Sequence, residues 1–178
     1  HANCVVIAVY GNRAYDDGLI QLKDTAELCG FNVIASVAAV AEHSIMRQFG
    51  SARPDEEDSK ELKKFAKEIL EKLSSDKELS TDYFVPGSHE YKRLGNLSVV
   101  PKANASCTGC GKCAEACPTG AINKNNIRTG DSSKCISCMG CIAACPKGIR
   151  KLNPVFLAAA SLKMKNLLSG RKPNEIFL

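Results

Sequence analysis

The first eighty residues alternate between two hydrophobic patterns. "NCVVIAVY", from Asn3, is β-branched and apolar almost without a break, which predicts a strand covered on both faces. "AYDDGLIQLKDTAELCG" puts Leu19, Leu22, Ala26 and Cys29 on one helical face, and Gly30 stands just past its end. "FNVIASVAAV" repeats the strand pattern. "RPDEEDSKELKKFAKEILEKL" repeats the helical one: Pro54 and four acidic residues mark its start, and Leu62, Phe65, Ala66, Ile69, Leu70 and Leu73 form its stripe. This order predicts a βαβα unit with a parallel sheet over residues 1–79. Two strands make a poor sheet. The expectation is therefore that strands of a longer protein precede residue 1, or that a second domain or partner chain covers the open edge.

The periodicity then fades. Residues 80–106 are rich in Pro, Gly, Ser and Asn and read as an extended linker or strap, with Tyr83, Phe84 and Tyr91 as packing anchors. Residues 107–150 carry most of the cysteines. In residues 151–178, Asn153 can cap a helix that begins at Pro154 and closes at Gly170. Its apolar residues Val155, Phe156, Ala159, Leu162 and Leu167 predict a docking face, followed by a tail.

Composition narrows the function classes. No apolar run nears the roughly 18 residues of a membrane span, and no signal-peptide pattern is present, so a cytoplasmic location is the default expectation. The formal net charge is +5, but that count treats cysteines as neutral. From Cys107 to Arg150, Lys112, Lys124, Arg128, Lys134, Lys147 and Arg150 face only Glu115 and Asp131. Such a local excess would offset anionic clusters, and no aromatic stripe accompanies it, so nucleic acid is not indicated.

Of the 10 cysteines, only Cys4 and Cys29 lie outside this segment, and both read as buried packing residues. The rest form a repeat: "CTGCGKCAEACPTG" returns as "CISCMGCIAACPKG", and Pro118 and Gly120 match Pro146 and Gly148. A C-x2-C-x2-C loop wraps three thiolates around three irons of a cubane, while the fourth cysteine, before proline, reaches the other cluster. Cys107, Cys110, Cys113 and Cys145 should therefore hold one [4Fe-4S] cluster, and Cys135, Cys138, Cys141 and Cys117 a second. Gly109, Gly111 and Gly140 would allow close backbone approach, and Ile122, Ile136, Ile142 and Ile149 would shield the clusters. "AINKNNIRTGDSSK", between the motifs, reads as a hairpin turning at Lys124-Asn125-Asn126. Structural zinc is the competing reading, but zinc sites are usually two separated C-x2-C knuckles. Disulfides suit a secreted chain better.

A weaker candidate is "AVYGNRAYDDG", at the carboxyl end of the first strand, where open parallel sheets bind ligands. Tyr10 and Tyr15 could face a flavin ring. The simpler reading is an ordinary β–α turn, with Asn12 and Asp16 serving turn and cap. His43 and His89 read as surface or strap residues.

With these motifs in view, the chain resembles the flavodoxin–ferredoxin fusion proteins of anaerobic microbes. "VYGNRAYDD", "GFNVIASVAAVAEHSI", "RPDEED", "VPGSHEYK" and "RKPNEIFL" are similar to that family's later flavodoxin half, linker and tail. The resemblance implies a partial flavodoxin-like unit followed by a pseudo-two-fold 2[4Fe-4S] ferredoxin domain, and contacts to FMN from Tyr10, Gly11, Asn12 and Tyr15 in the intact protein. The Gly/Ser/Thr-rich loop that cradles the FMN phosphate in flavodoxins is not in this sequence, so FMN is expected only in a full-length protein.

No nucleophile–base constellation supports substrate chemistry. The sequence therefore predicts a low-potential electron carrier working with redox partner proteins. The alternatives are a flavin-linked oxidoreductase wired through its clusters, and an iron–sulfur protein whose clusters serve only structure or regulation.

Overall fold

The computed structural model describes residues 2–75, 79–92 and 99–178. The chain divides into two compact units. The first comprises residues 1–43, 47–94 and 166–178, and the second residues 44–46 and 95–165.

In the first unit, β1 (Asn3–Tyr10) and β2 (Asn32–Val40) pair in parallel, and α1 (Gly18–Leu28) connects them. Every residue of β2 from Val33 to Val40 is buried, as a run apolar but for Ser36 predicts. β1 is less covered than its sequence implies. It lies at the sheet edge, and Ile7 and Val9 are 53% and 68% exposed. Side chains alternate across a strand: Cys4, Val6, Ala8 and Tyr10 pack into the core, while Val5, Ile7 and Val9 open onto a groove beside α2 (Glu56–Ser74).

The core centres on Val6, Leu19, Ile20, Val33, Ala38 and Val85. Burying aliphatic side chains of this size contributes about 1.5–3 kcal/mol each. Leu19 and Ile20 form the buried part of α1, whereas Leu22 and Cys29 are exposed. Cys29 caps the helix at its carboxyl end and is not the packing residue its spacing implies. The α1 N-cap is Asp17 rather than Asp16, and its carboxylate turns outward to accept from the Ser88 and Lys92 backbone N–H groups. Those bonds hold residues 79–92 along the unit. Asp24 adds to them by accepting from the Tyr91 hydroxyl and pairing with His89. Tyr83 and Tyr91 pack on the core, but Phe84 is 77% exposed. At α2 the N-cap is Asp55, and a capping box joins it to Asp58. Two orphan N–H groups of the first turn are thereby satisfied. Phe65 is the buried member of the α2 stripe, and Leu70 is 60% exposed.

The third strand of this sheet comes from the tail. β5 (Glu175–Phe177) pairs antiparallel with β2, setting Ser36, Val37 and Ala38 opposite Phe177, Ile176 and Glu175. A cluster of buried polar groups anchors it. Asn174 Oδ1 accepts from Val40 N–H, and its Nδ2 donates to Asp58 and Glu61. Arg53 and Asp58 form a buried ion pair, which Arg171 joins from the tail. The Arg53 guanidinium does most to hold the Asp58 carboxyl well below the usual range, against the pull of burial.

In the second unit, β3 (Lys102–Ala103) and β4 (Arg150–Lys151) form a two-stranded antiparallel ribbon, so residues read as linker close this unit. Two short helices, α3 (Lys112–Glu115) and α4 (Gly140–Ala143), lie at matching points of the repeat. The predicted hairpin between the motifs is instead a single 3-10 turn at Lys124–Asn126, where Asn123 Oδ1 accepts from Asn125 N–H. α5 (Pro154–Leu168) starts as its sequence predicts, with Asn153 Oδ1 accepting from Val155 and Phe156 N–H. Its covered face differs from the expected one. Leu168 is buried, and Val155, Leu162 and Leu167 are 75%, 78% and 57% exposed.

Candidate metal centre

Each repeat builds the same turn. Gly109 and Gly111 adopt positive φ of 73° and 82°, which lets the first loop fold back before α3. In the second loop the equivalent positions are Ser137 and Met139, at φ 54° and 62°. A side chain strains that conformation, so the surroundings must hold it. Val99 N–H donates to Ser137 Oγ at 2.9 Å, and Met139 is buried. Gly140 is less constrained than its sequence implies: an added Cβ would meet Cys138 Sγ at 3.6 Å and the Ala116 carbonyl at 3.9 Å, ordinary contacts.

Beyond each short helix the chain reaches the fourth cysteine, then proline, and turns again at Gly120 or Gly148. This turn aims backbone N–H groups at the sulfur. Ala121 N–H donates to Cys117 Sγ at 3.3 Å, and the Thr119 hydroxyl lies 3.7 Å from it. Burial pushes the Cys117 thiol up. The Thr119 hydroxyl and the N–H groups of Thr119, Ala121 and Ile122 outweigh it, leaving the thiol below its ordinary value. The Arg150 N–H does most to lower Cys145, with further help from Ile149, Lys147 and Gly148 against burial. At Cys141 burial dominates and raises the thiol, while the Arg150 charge opposes and Cys138, Cys135 and Cys113 add to the rise.

Two cavities result. Cys117, Cys135, Cys138 and Cys141 line one, of about 390 Å³, part of it open to solvent. Cys107, Cys110, Cys113 and Cys145 line the other, of about 360 Å³. Each cavity thus takes three cysteines from one repeat and the fourth from the other. None of these cysteines is in a disulfide. Among the described residues, no group of three or more His, Cys, Asp or Glu is gathered tightly enough for a single metal ion. A zinc ion would draw its donors to about 2.0–2.3 Å, whereas a four-iron core holds its thiolates farther apart. Soft thiolate donors, four to a cavity, suit that core.

The walls differ in detail from the sequence reading. Ile122 is 7% exposed and lines the first cavity, but Ile136, on its rim, is 62% exposed. Met139, which no sequence pattern singles out, also lines that cavity. By sequence Arg150 is one basic residue among several. It is 1% exposed and lines the second cavity beside Lys147.

The end of β1 and the loop after it carry Tyr10, Gly11, Asn12 and Tyr15, and each has a partner in the first unit. The Tyr10 hydroxyl donates to the Pro173 carbonyl, and the Tyr15 hydroxyl to Glu175. Their rings meet edge to face at 5.3 Å. Asn12 is 2% exposed and donates to the Leu168 and Gly170 carbonyls. Gly11 packs on His43, whose Cα would lie 2.9 Å from an added Cβ.

Residues 106–149 match the family described as a 4Fe-4S dicluster domain. The fold is mixed α/β with a ferredoxin-like iron–sulfur domain. That likeness, with the cysteine sets, points to iron–sulfur electron transfer. Neither the curated proteins nor the solved structures gave a match. Among the described residues, no helix is long and apolar enough to cross a membrane.

Proposed function

We propose that this chain is an electron-transfer protein that passes single low-potential electrons through two [4Fe-4S] clusters. Cys107, Cys110, Cys113 and Cys145 hold one cluster, and Cys135, Cys138, Cys141 and Cys117 hold the other. The observation that carries this reading is the pair of cavities, each walled by four cysteines drawn from both repeats. When bound, each cluster supplies one-electron redox chemistry. The chain fixes the sulfurs, aims N–H groups at Cys117 and Cys145, and keeps water away with Ile122 and Met139. N–H groups aimed at the sulfurs favour the more negative reduced state. Redox proteins are the partners this activity requires.

Anaerobic purification with iron and sulfide assays tests the reading. Two Cys4-bound clusters predict about eight of each per chain, and dithionite should produce EPR signals of two coupled spins. Zinc in place of iron, or a single cluster, would refute it. Clusters that cannot be reduced reversibly would leave them a structural or regulatory role.

A flavin-linked oxidoreductase is the second reading. It is favoured by the parallel β1–β2 pair, whose carboxyl-end loop carries Tyr10, Gly11, Asn12 and Tyr15. FMN would be held by a longer protein, of which residues 1–79 form a flavodoxin-like part. Quenching of FMN fluorescence by the full-length protein, with turnover of a small substrate, is the result it requires.

A further inference from the structure

The two cysteine cavities differ at several aligned positions, among them Gly111 against Met139 and Thr119 against Lys147, and one difference places a charge at a buried position. The repeat aligns Ala121 and Ile122 with Ile149 and Arg150. Ile122 lines the cavity of Cys117, Cys135, Cys138 and Cys141, whose wall among the described residues has no charged side chain. Arg150 lines the cavity of Cys107, Cys110, Cys113 and Cys145, together with Lys147.

Arg150 is the largest fully buried side chain among the described residues. Its Nη1 donates to the Pro101 carbonyl at 2.7 Å, and its Nη2 to the Ile127 carbonyl. Its Nε is the one buried side-chain nitrogen or oxygen there without a hydrogen-bond partner. Among the described residues no carboxylate pairs with it. A buried cation without a counter-charge is costly, and two carbonyl dipoles offset that cost only in part. Four thiolates around an iron–sulfur core would supply the missing negative charge.

We infer that Arg150 makes the two clusters inequivalent, so that the cluster held by Cys107, Cys110, Cys113 and Cys145 is reduced first. This rests on the two-cluster reading above. A fixed positive charge beside a cluster favours its more negative state and raises its potential. The apolar wall around the other cluster does the reverse. Arg150 also acts on Cys141 of that second set, so the split measures the difference between its two effects. Electrons that enter through either cluster come to rest at the Arg150 end.

Dithionite titration of the anaerobically purified holoprotein, followed by paramagnetic NMR of the assigned cysteine β-protons, tests this. Each step adds one electron to a cluster, and dithionite is oxidised. The protons of Cys107, Cys110, Cys113 and Cys145 should respond first. The reduced-to-oxidised ratios of the two sets should differ by about tenfold, as a nearby buried charge implies; that is about 59 mV for one electron. Arg150→Ile, which copies Ile122, should remove most of the difference, and Arg150→Lys should keep most of it. A merely structural Arg150 would leave the order of reduction untouched. If Arg150→Ile fails to bind about eight irons, Arg150→Gln removes the charge while keeping a donor, and the same collapse is expected. The inference fails if the Cys117 set is reduced first, or if the split survives loss of the charge. Clusters that reduce reversibly but together overturn this inference alone. Clusters that cannot be reduced at all overturn electron transfer with it.

Discussion

Replacing Asp58 with alanine should weaken the first unit severely. The carboxylate is fully buried. It accepts from Arg53 Nε and Asp55 N–H at 2.9 Å each, Asn174 Nδ2 at 2.9 Å, Arg171 Nη2 at 3.1 Å, and Arg53 Nη2. Without it, the Arg53 side chain, 5% exposed, keeps only Asn12 Oδ1 at 3.4 Å and the Lys172 carbonyl at 2.6 Å. Breaking a buried ion pair from one side costs about 3–5 kcal/mol, a large share of the roughly 5–15 kcal/mol that holds a domain folded. At about 1–3 kcal/mol per M of urea, the midpoint should fall by roughly 1–5 M. The assay has a built-in reporter. The chain has no Trp, and all four tyrosines lie in the first unit, so tyrosine fluorescence reads that unit. An Arg53→Met, Asp58→Leu double variant should recover part of the loss, because it strands no charge. A loss below about 1 kcal/mol for Asp58→Ala, within the range of an exposed ion pair, would refute the reasoning. So would a double variant weaker than the single one.

Three further outcomes are expected. Cys117→Ala should disrupt the cluster site of Cys135, Cys138 and Cys141, and damage confined to the Cys107 loop in EPR would count against the crossed grouping. Gly87→Ala should loosen residues 79–92 and cost about 1–3 kcal/mol, since φ is 130° and the new Cβ would meet Ile20 Cγ2 at 2.6 Å; an unchanged urea midpoint would contradict this. The pH profile of the tyrosine-detected transition should fall at both ends. Hydrogen bonds hold the Asp17 and Asp55 carboxyls low, from the Lys92 N–H and from Arg171, and Arg53 does so for Asp58; their contribution is present above the unfolded value near 4 and lost as pH falls below it. Burial raises Tyr10, Tyr15 and Tyr83, and Asp24 raises Tyr91; that contribution is present below about pH 10 and lost above it. A profile flat from pH 3 to 11 would contradict both assignments.

The elements whose burial is local were legible in the sequence. β2 reads as a buried strand because it is apolar but for Asn32 and Ser36, and α2 announces its start with Pro54 and four acids. The cysteine repeat was equally plain. The third strand was not. β5 has three residues, and its polar anchor Asn174 gains meaning only from Val40, 134 positions away. The exposure of β1 is illegible for a related reason: an apolar run reports affinity for cover, not whether cover is present. Arg150 does not stand out in the sequence because arginine is ordinarily a surface residue, and only its place in the cavity wall sets it apart.

The first unit is interrupted by the second and resumes at residue 166. Synthesis therefore releases all the residues of the iron–sulfur unit before β5, the strand that completes the sheet around β2. During that interval the apolar edge of β2 lacks its neighbour, and such an edge can pair with other chains. Residues 171–177 bring an ion-pair member, a buried amide and a strand. Residues 171–177, made after the interrupting unit, act as the closing latch on a fold begun before it, and the first unit is most vulnerable to association just before they arrive.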